Sequence, residues 1–307
     1  MRVDLTAVRD LRFDDGTPVT AASGLAPLGD GWLVAQDDAT SAAWQRPGGV
    51  APVRLLPPVK GHDRFSEAAG TKSLKPDLET ACPVEADGHE AVLLLGSGST
   101  GRRTRGVLVV LDGDRPSVRA ADLGPLYAAV ADRLGVPAGQ LNLEGASRAG
   151  DVLRWYQRGN LAAGVPNAGV EVRLADLVAV LLGRAAPASV RLGAAHVLDL
   201  GEVAGVGLAV TDAVALPDGR EVLSAAAEDT PNAVDDGPVV ATALVLAEGG
   251  RVLDVAPVPE VEGRVVKVEG LALRGSGDGD RVDLLAVVDA DDPELPSPQV
   301  ELTVTLR

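Results

Sequence analysis

The chain has 307 residues, is 46% hydrophobic and only 2% aromatic, and carries a formal net charge of −16. That size and apolar content predict a globular core filled by Val, Leu and Ala. The acidic balance argues against a nucleic-acid or anionic-membrane partner, since both need a basic surface. The single cysteine, Cys82, excludes an intrachain disulfide and a Cys-rich zinc site, and reads as a small buried thiol.

The chain opens with Met1-Arg2-Val3-Asp4-Leu5, which lacks the apolar stretch of a signal peptide, and no 18-residue apolar run follows. A soluble, cytoplasmic monomer is the expectation. Residues 3–13 resemble outer strands found later: Val8-Arg9-Asp10-Leu11 compares with Val197-Leu198-Asp199-Leu200.

A repeated unit then begins: a short anchor, a Gly/Asp turn, and an apolar strand ending in polar residues. The first runs Ser23-Gly24-Leu25-Ala26, turn Gly29-Asp30-Gly31, strand Trp32-Leu33-Val34-Ala35, then Asp37-Asp38. The second is Glu79-Thr80-Ala81-Cys82, turn Asp87-Gly88, strand Ala91-Val92-Leu93-Leu94-Leu95, then Gly96-Ser97-Gly98. The third is Asn142-Leu143-Glu144-Gly145-Ala146, a turn at Gly150-Asp151, and Val152-Leu153-Arg154-Trp155-Tyr156-Gln157-Arg158. The fourth is Thr211-Asp212-Ala213-Val214, turn Asp218-Gly219, strand Glu221-Val222-Leu223-Ser224, then Glu228-Asp229. The fifth is Glu269-Gly270-Leu271-Ala272, turn Asp278-Gly279-Asp280, strand 282–288, then Asp289.

Asp-Gly turns between apolar runs are hairpin signals, because both residues accept positive φ. Anchors at 23, 79, 144, 211 and 269 are spaced like four-stranded propeller blades. Each of the first four units is followed by two further strands, near 42–46 and 52–56, 106–111 and 117–123, 170–174 and 194–200, 239–247 and 252–258. The fifth has only one more, at 300–306. An N-terminal strand completing the last blade balances the count and closes the ring.

The predicted fold is therefore all-β: a single β-propeller domain over residues 1–307, with five four-stranded blades and short helical insertions at 125–135 and 174–183. A sixth blade within 62–78 or 160–193 is the alternative count. An open β-sandwich, two small β domains or an α+β fold are the alternative architectures.

In a propeller the innermost strands line a central channel and begin at one mouth of it. The alignment places Glu79, Glu144 and Glu269 at equivalent positions there. Carboxylates crowded in one channel need a cation, protons or basic partners. Hard oxygen donors favour Ca²⁺, then Mg²⁺, so Glu79, Asn142, Glu144 and Glu269 form the candidate metal set. The alternative is that these glutamates are held by backbone or by Lys and Arg and only fix the blades. No organic cofactor is expected.

The insertion at 62–78 is dense in titratable groups and leads into an anchor. His62 and Lys72 are candidates for proton transfer with Glu144, and Glu67 and Lys75 for ligand binding. Arg158 and Asn160 are further ligand-binding candidates able to reach the mouth, with inter-blade packing by Trp155 and a salt bridge by Arg158 as the alternative. There is no Gly-x-Ser-x-Gly elbow, Walker A loop or His-Glu-x-x-His motif.

Glu144-Gly145, Glu269-Gly270-Leu271-Ala272 and Ser23-Gly24-Leu25-Ala26 resemble the Glu-Gly-Leu/Ile-Ala, Gly/Asp-turn pattern of bacterial phytase-like and esterase-like propellers. With Leu-Pro-Pro-Val, Glu-Ala-Ala-Gly-Thr-Lys and Leu-Lys-Pro-Asp-Leu-Glu, the chain is also similar to an uncharacterised bacterial family of that group. The resemblance implies a propeller and, at the level of activity, a calcium-dependent hydrolase. The chain departs from the pattern at the first and fourth anchors, where Ser23 and Thr211 replace Glu. The expected activity is hydrolysis of a small ester, lactone or phosphoester at the channel mouth, with a small molecule as partner. A non-catalytic propeller binding a small ligand or a protein is the alternative, and a structural ring plugged by salt bridges is a third.

Overall fold

The computed structural model describes residues 1–137, 139–228, 237–276, 280–290, 292 and 294–306. The predicted turn residues Asp278 and Gly279 and the strand-end residue Asp229 lie outside them. Among the described residues, strands form five antiparallel sheets arranged as a five-bladed propeller.

The chain enters through β1 (Arg2–Asp10). Blade one follows as β2 (Ala22–Leu28), β3 (Gly31–Gln36), β4 (Ser41–Arg46) and β5 (Gly49–Arg54). Blade two is β6 (Leu78–Ala86), β7 (His89–Gly96), β8 (Arg105–Asp112) and β9 (Arg115–Asp122). Helix α1 (Gly124–Leu134) leads to blade three, built from β10 (Leu143–Ala149), β11 (Val152–Gln157), β12 (Asn167–Arg173) and β13 (Leu192–Leu198), with α2 (Leu174–Leu181) between its last two strands. Blade four contains β14 (Glu202–Val203), β15 (Val206–Ala215), β16 (Glu221–Glu228), β17 (Val239–Glu248) and β18 (Arg251–Pro257). Blade five is β19 (Lys267–Ser276), β20 (Arg281–Asp289) and β21 (Pro298–Thr305), with β1 as its outer strand.

The five-blade expectation and its N-terminal closure both hold. Arg2 pairs with Thr305 and Asp10 with Pro298, so β1 runs antiparallel along β21 and covers its edge. Residues 62–78 and 160–193 contribute no sixth blade. The first forms a loop with a single turn of 3₁₀ helix at Lys72–Leu74, and the second supplies β12, α2 and the first two residues of β13. Blade four carries an extra two-residue strand, β14, too short to show an alternating pattern in the sequence. Helix α1 stops where Gly135 takes φ 66° and its amide returns to the Ala131 and Asp132 carbonyls, a left-handed cap that glycine adopts without a Cβ clash.

The core is divided among the blade interfaces. Alternation along a strand sends successive side chains to opposite faces. Leu93 and Leu95 of β7 therefore pack toward blade three, while Val92 and Leu94 pack toward blade one. Trp155 and Tyr156 divide in the same way: Trp155 enters the blade two–three core, edge-on to Tyr127 at 4.9 Å, and Tyr156 enters the blade three–four core. Each fully buried Leu contributes roughly 1.5–3 kcal/mol by leaving water.

Strands β2, β6, β10, β15 and β19 form the inner ring. Each breaks register at its anchor: between Ala22 and Gly24, Leu78 and Thr80, Leu143 and Ala146, Val210 and Asp212, and Val268 and Gly270. Ser23, Glu79, Glu144, Thr211 and Glu269 thus occupy equivalent bulges, the local device that re-aims a side chain in a sheet. One residue further along stand Gly24, Thr80, Gly145, Asp212 and Gly270. A Cβ on Gly145 would lie 2.6 Å from the Asp212 Cα, and one on Gly270 would lie 2.9 Å from the Gly24 Cα. Glycine there permits neighbouring inner strands to approach to backbone contact.

Candidate functional site

The bulges place three glutamates at the anchor end of the channel, and alternation brings their partners with them. Asn142 and Glu144, Lys267 and Glu269, and Lys75, Asp77 and Glu79 are each spaced by two residues. Asn142 Nδ2 donates to Glu144 Oε1 at 2.8 Å, and Lys267 Nζ lies 2.8 Å from Glu269 Oε1. From the end of β11, Arg158 Nη1 donates to Glu144 Oε1 at 3.0 Å, while its Nη2 pairs with Glu228. Lys267 also reaches Glu228 at 3.1 Å. The result is a continuous chain, Glu144–Arg158–Glu228–Lys267–Glu269, spanning blades three, four and five.

A second group occupies the blade one–two side. Lys75 pairs with Asp37 and lies 2.7 Å from Asp77, whose other oxygen is 3.0 Å from Arg103. Ser97 donates to Asp77, and Arg103 Nη1 donates to Ser99 Oγ at 2.9 Å. The Gly96-Ser97-Gly98-Ser99 turn thus serves to hold this buried aspartate.

Burial dominates the electrostatics. It raises the Glu269 carboxyl to about 8, with Lys267 opposing and Glu144 adding to the rise. Burial, with Asp77 and Asp37 adding and Lys75 opposing, holds Glu79 well above the usual carboxylate range. It raises Glu144 too, against Arg158 and Lys267. At Glu228 burial is outweighed by Arg158 and Lys267, and the carboxyl falls to about 2. Lys267 and Arg158 are desolvated, yet the surrounding carboxylates hold both firmly charged.

The two groups together contain six carboxyls (Asp37, Asp77, Glu79, Glu144, Glu228, Glu269) and four cations (Lys75, Arg103, Arg158, Lys267). Burial raises three of the carboxyls, Glu79, Glu144 and Glu269. The four cations offset part of the carboxylate charge, as crowded buried carboxylates require. Oxygens of Asp37, Asp77 and Glu79 do lie within 4.8 Å of one another, in the spacing of a cation site, but the Lys75 ammonium already contacts two of the three.

The 62–78 insertion roofs a cavity of about 510 Å³ beside this cluster. Glu67, Lys72 and Lys75 line it, together with Asp37, Asp38, Phe65, Asp289 and Asp292. His62 does not: it is exposed in a tight turn whose backbone pairs with Val59, and it lines no cavity described here. Arg158 and Asn160 line a separate cavity of about 280 Å³ with Glu228 and the β14–β15 turn. The expected site residues thus divide between two cavities and the ion-pair chain. Arg158 makes a salt bridge, with Glu144 and Glu228, and Asn142, Glu144 and Glu269 are engaged by neighbouring side chains.

Asp77, Arg103 and Lys267 have no site assignment from sequence, and Asp38 reads there only as an acidic strand end suited to a turn. The two-residue spacing of Lys75, Asp77 and Glu79, and of Lys267 and Glu269, was the available signal. Asp38 carried none, because its surroundings come from Thr20, Arg64 and Lys75 of distant segments. Its Oδ2 accepts from Thr20 at 3.3 Å, while Oδ1 is shielded from solvent and has no hydrogen-bond partner among the described residues. Burial, with Asp37 adding, raises this carboxyl to about 6 against Arg64, Thr20 and Lys75. Cys82 is fully buried, its thiol pushed up to about 12 by desolvation, and is inert as a nucleophile.

Among solved structures, a luciferin-regenerating enzyme is similar at 10% identity and TM-score 0.48, covering 98% of this chain and 95% of that one. A hypothetical protein from Leishmania major is similar at 11% identity and TM-score 0.46, covering 98% and 90%. A protein of unknown function from Dyadobacter fermentans is similar at 12% identity and TM-score 0.40, covering 99% of each chain. No curated protein matches. Residues 71–293, well over half of the chain, match the model of a family of unknown function, DUF6910, and the chain belongs to that family.

Proposed function

We propose that the protein binds a small organic cation, such as an amine or guanidinium compound, in the 510 Å³ cavity under the 62–78 insertion. The observation that carries this reading is Asp38, which lines the cavity and whose Oδ1 has no hydrogen-bond partner among the described residues. A buried acceptor left unpaired costs about 1–3 kcal/mol, which a ligand N–H would recover. Asp37, Asp289, Asp292 and Glu67 add acidic character against Lys72 and Lys75, and Phe65 supplies an apolar surface. The test is a thermal-shift and calorimetric screen of mono-, di- and polyamines and guanidinium compounds. Saturable binding weakened tenfold or more by Asp38→Asn supports the reading. No binding, or binding indifferent to Asp38→Asn, overturns it.

Metal-dependent hydrolysis of a small ester, lactone or phosphoester is the second reading. The close approach of Asp37, Asp77 and Glu79 favours it. Ca²⁺, or less favourably Mg²⁺, would have to displace the Lys75 ammonium, with Glu144 and Lys72 then acting on the substrate. Calcium titration decides it. A melting temperature raised by Ca²⁺ and lowered by chelator, with esterase or phosphatase activity lost in Glu79→Gln, supports this reading. An unchanged melt and no turnover reject it.

A further inference from the structure

The far end of the channel is a second and chemically opposite site. Past the bulges, the inner strands enclose a cavity of about 260 Å³. All five contribute to its wall, through residues two to four positions beyond each anchor. Leu25, Ala81, Ala146, Ala213, Leu271 and Leu273 give it an apolar lining, in which the alanines leave the space. The polar wall groups are accounted for: Ser147 donates to Glu221, and the Cys82 thiol is buried and protonated.

Arg148 is the exception. It follows Ser147 on β10, is exposed, and lines the cavity. Its one side-chain hydrogen bond runs from Nε to the Gly150 carbonyl at 3.3 Å. Among the described residues it has no carboxylate within ion-pair distance, although it also lines an adjoining cleft that contains Glu85, Asp87 and Asp151. There Asp87 is engaged by Arg184 and Asp151 by Arg173. In a chain with 44 acidic and 28 basic residues, an arginine without a carboxylate partner beside an apolar cavity is a specific combination.

We propose that this cavity binds a small apolar carboxylate, its hydrocarbon part between the inner strands and its carboxylate on the Arg148 guanidinium. The volume suits a ligand of hexanoate or benzoate size. Guanidinium is the side chain best matched to a carboxylate, because it presents two parallel N–H donors. The site lies beyond the glutamate cluster and depends on none of the residues assigned to the cation-binding cavity.

Hexanoate is the probe, compared with hexanol and hexylammonium, which have the same chain but a neutral or positive head. Binding is followed on the full-length protein by methyl NMR of Leu25, Leu271 and Leu273. The expected result is saturable hexanoate binding that shifts these methyls, at least tenfold tighter than hexylammonium. Arg148→Gln should weaken hexanoate at least tenfold and leave hexanol unchanged, while Arg148→Lys retains part of the affinity. Arg148 is exposed and makes one long hydrogen bond, so the variants should fold normally. Absence of saturable binding, equal affinity for hexanoate and hexylammonium, or unchanged hexanoate affinity in Arg148→Gln would each overturn the proposal.

Discussion

Arg158 Nη1 lies 3.0 Å from Glu144 Oε1, tying the end of the second strand of blade three to the bulge of its first. The same guanidinium holds Glu228 of blade four, so one side chain joins two blades at the channel mouth. Replacing Arg158 with Ala takes the guanidinium from two buried carboxylates and leaves Glu144 to Asn142 and Glu228 to Lys267. The expected loss is about 3–5 kcal/mol of unfolding free energy, read by urea denaturation. Glu144→Gln should cost less, because its amide can still accept from Asn142 or Arg158. A loss below 1 kcal/mol for Arg158→Ala would contradict the assigned role.

The raised carboxyls make stability depend on pH in an uncommon direction. Glu269 has a folded-state pKa of about 8 against an ordinary 4.5, and Asp38 one of about 6 against 3.8. In these windows the folded state binds more protons than the unfolded state, so stability falls as pH rises. Each such group contributes a slope of up to about 1.4 kcal/mol per pH unit. Glu228, lowered to about 2, acts oppositely, and its contribution is lost as pH falls through 4.5 toward 2. Stability should peak at about pH 4 and decline toward pH 8. Glu269→Gln should flatten the decline between 6 and 8, and a melting curve of unchanged slope would reject this account.

Much of this fold was legible in the sequence because its punctuation is local. The Asp-Gly turns and the anchors sit in each repeat, and alternation within β11 separated Trp155 from Tyr156 and put Arg158 on the face of Arg154. The cluster was only half legible. Two-residue spacing reports that Lys267 and Glu269 share a face, but Glu228 and Arg103 join through the closure of the ring. His62 has polar neighbours along the chain, and the turn at 59–62 leaves it exposed. Asp38 depends on contacts from three separate segments and has no sequence signature.

Close approach of the inner strands gives a sharp test at Gly145. An added Cβ would lie 2.6 Å from the Asp212 Cα and 2.7 Å from its carbonyl carbon, both backbone atoms that cannot rotate away. Gly145→Ala should destabilise by about 1–3 kcal/mol, the usual range for overpacking a tight site. Gly139→Ala is not a fair control, since Gly139 has φ +79°. Gly101→Ala is suitable, having open space and no positive φ, and should change the urea midpoint little. Equal effects at the two positions would show that the inner ring tolerates expansion.

Closure by β1 predicts the largest effect. Deleting residues 2–10 uncovers the β21 edge, removes Val3 from the blade five core and leaves the ring held only by contacts between blades. The truncated chain should lack a cooperative melting transition and elute as aggregate. A circular permutant separates loss of the strand from loss of the chain order. Arg2 pairs with Thr305, so the end of β21 and the start of β1 are adjacent and a short glycine-containing turn can join them. New termini placed at the exposed Asp15-Gly16 turn would open no blade. The permutant should be monomeric and melt cooperatively within a few degrees of the parent. If the truncated chain melts cooperatively as well, pairing between the N- and C-terminal strands is not what keeps the ring closed.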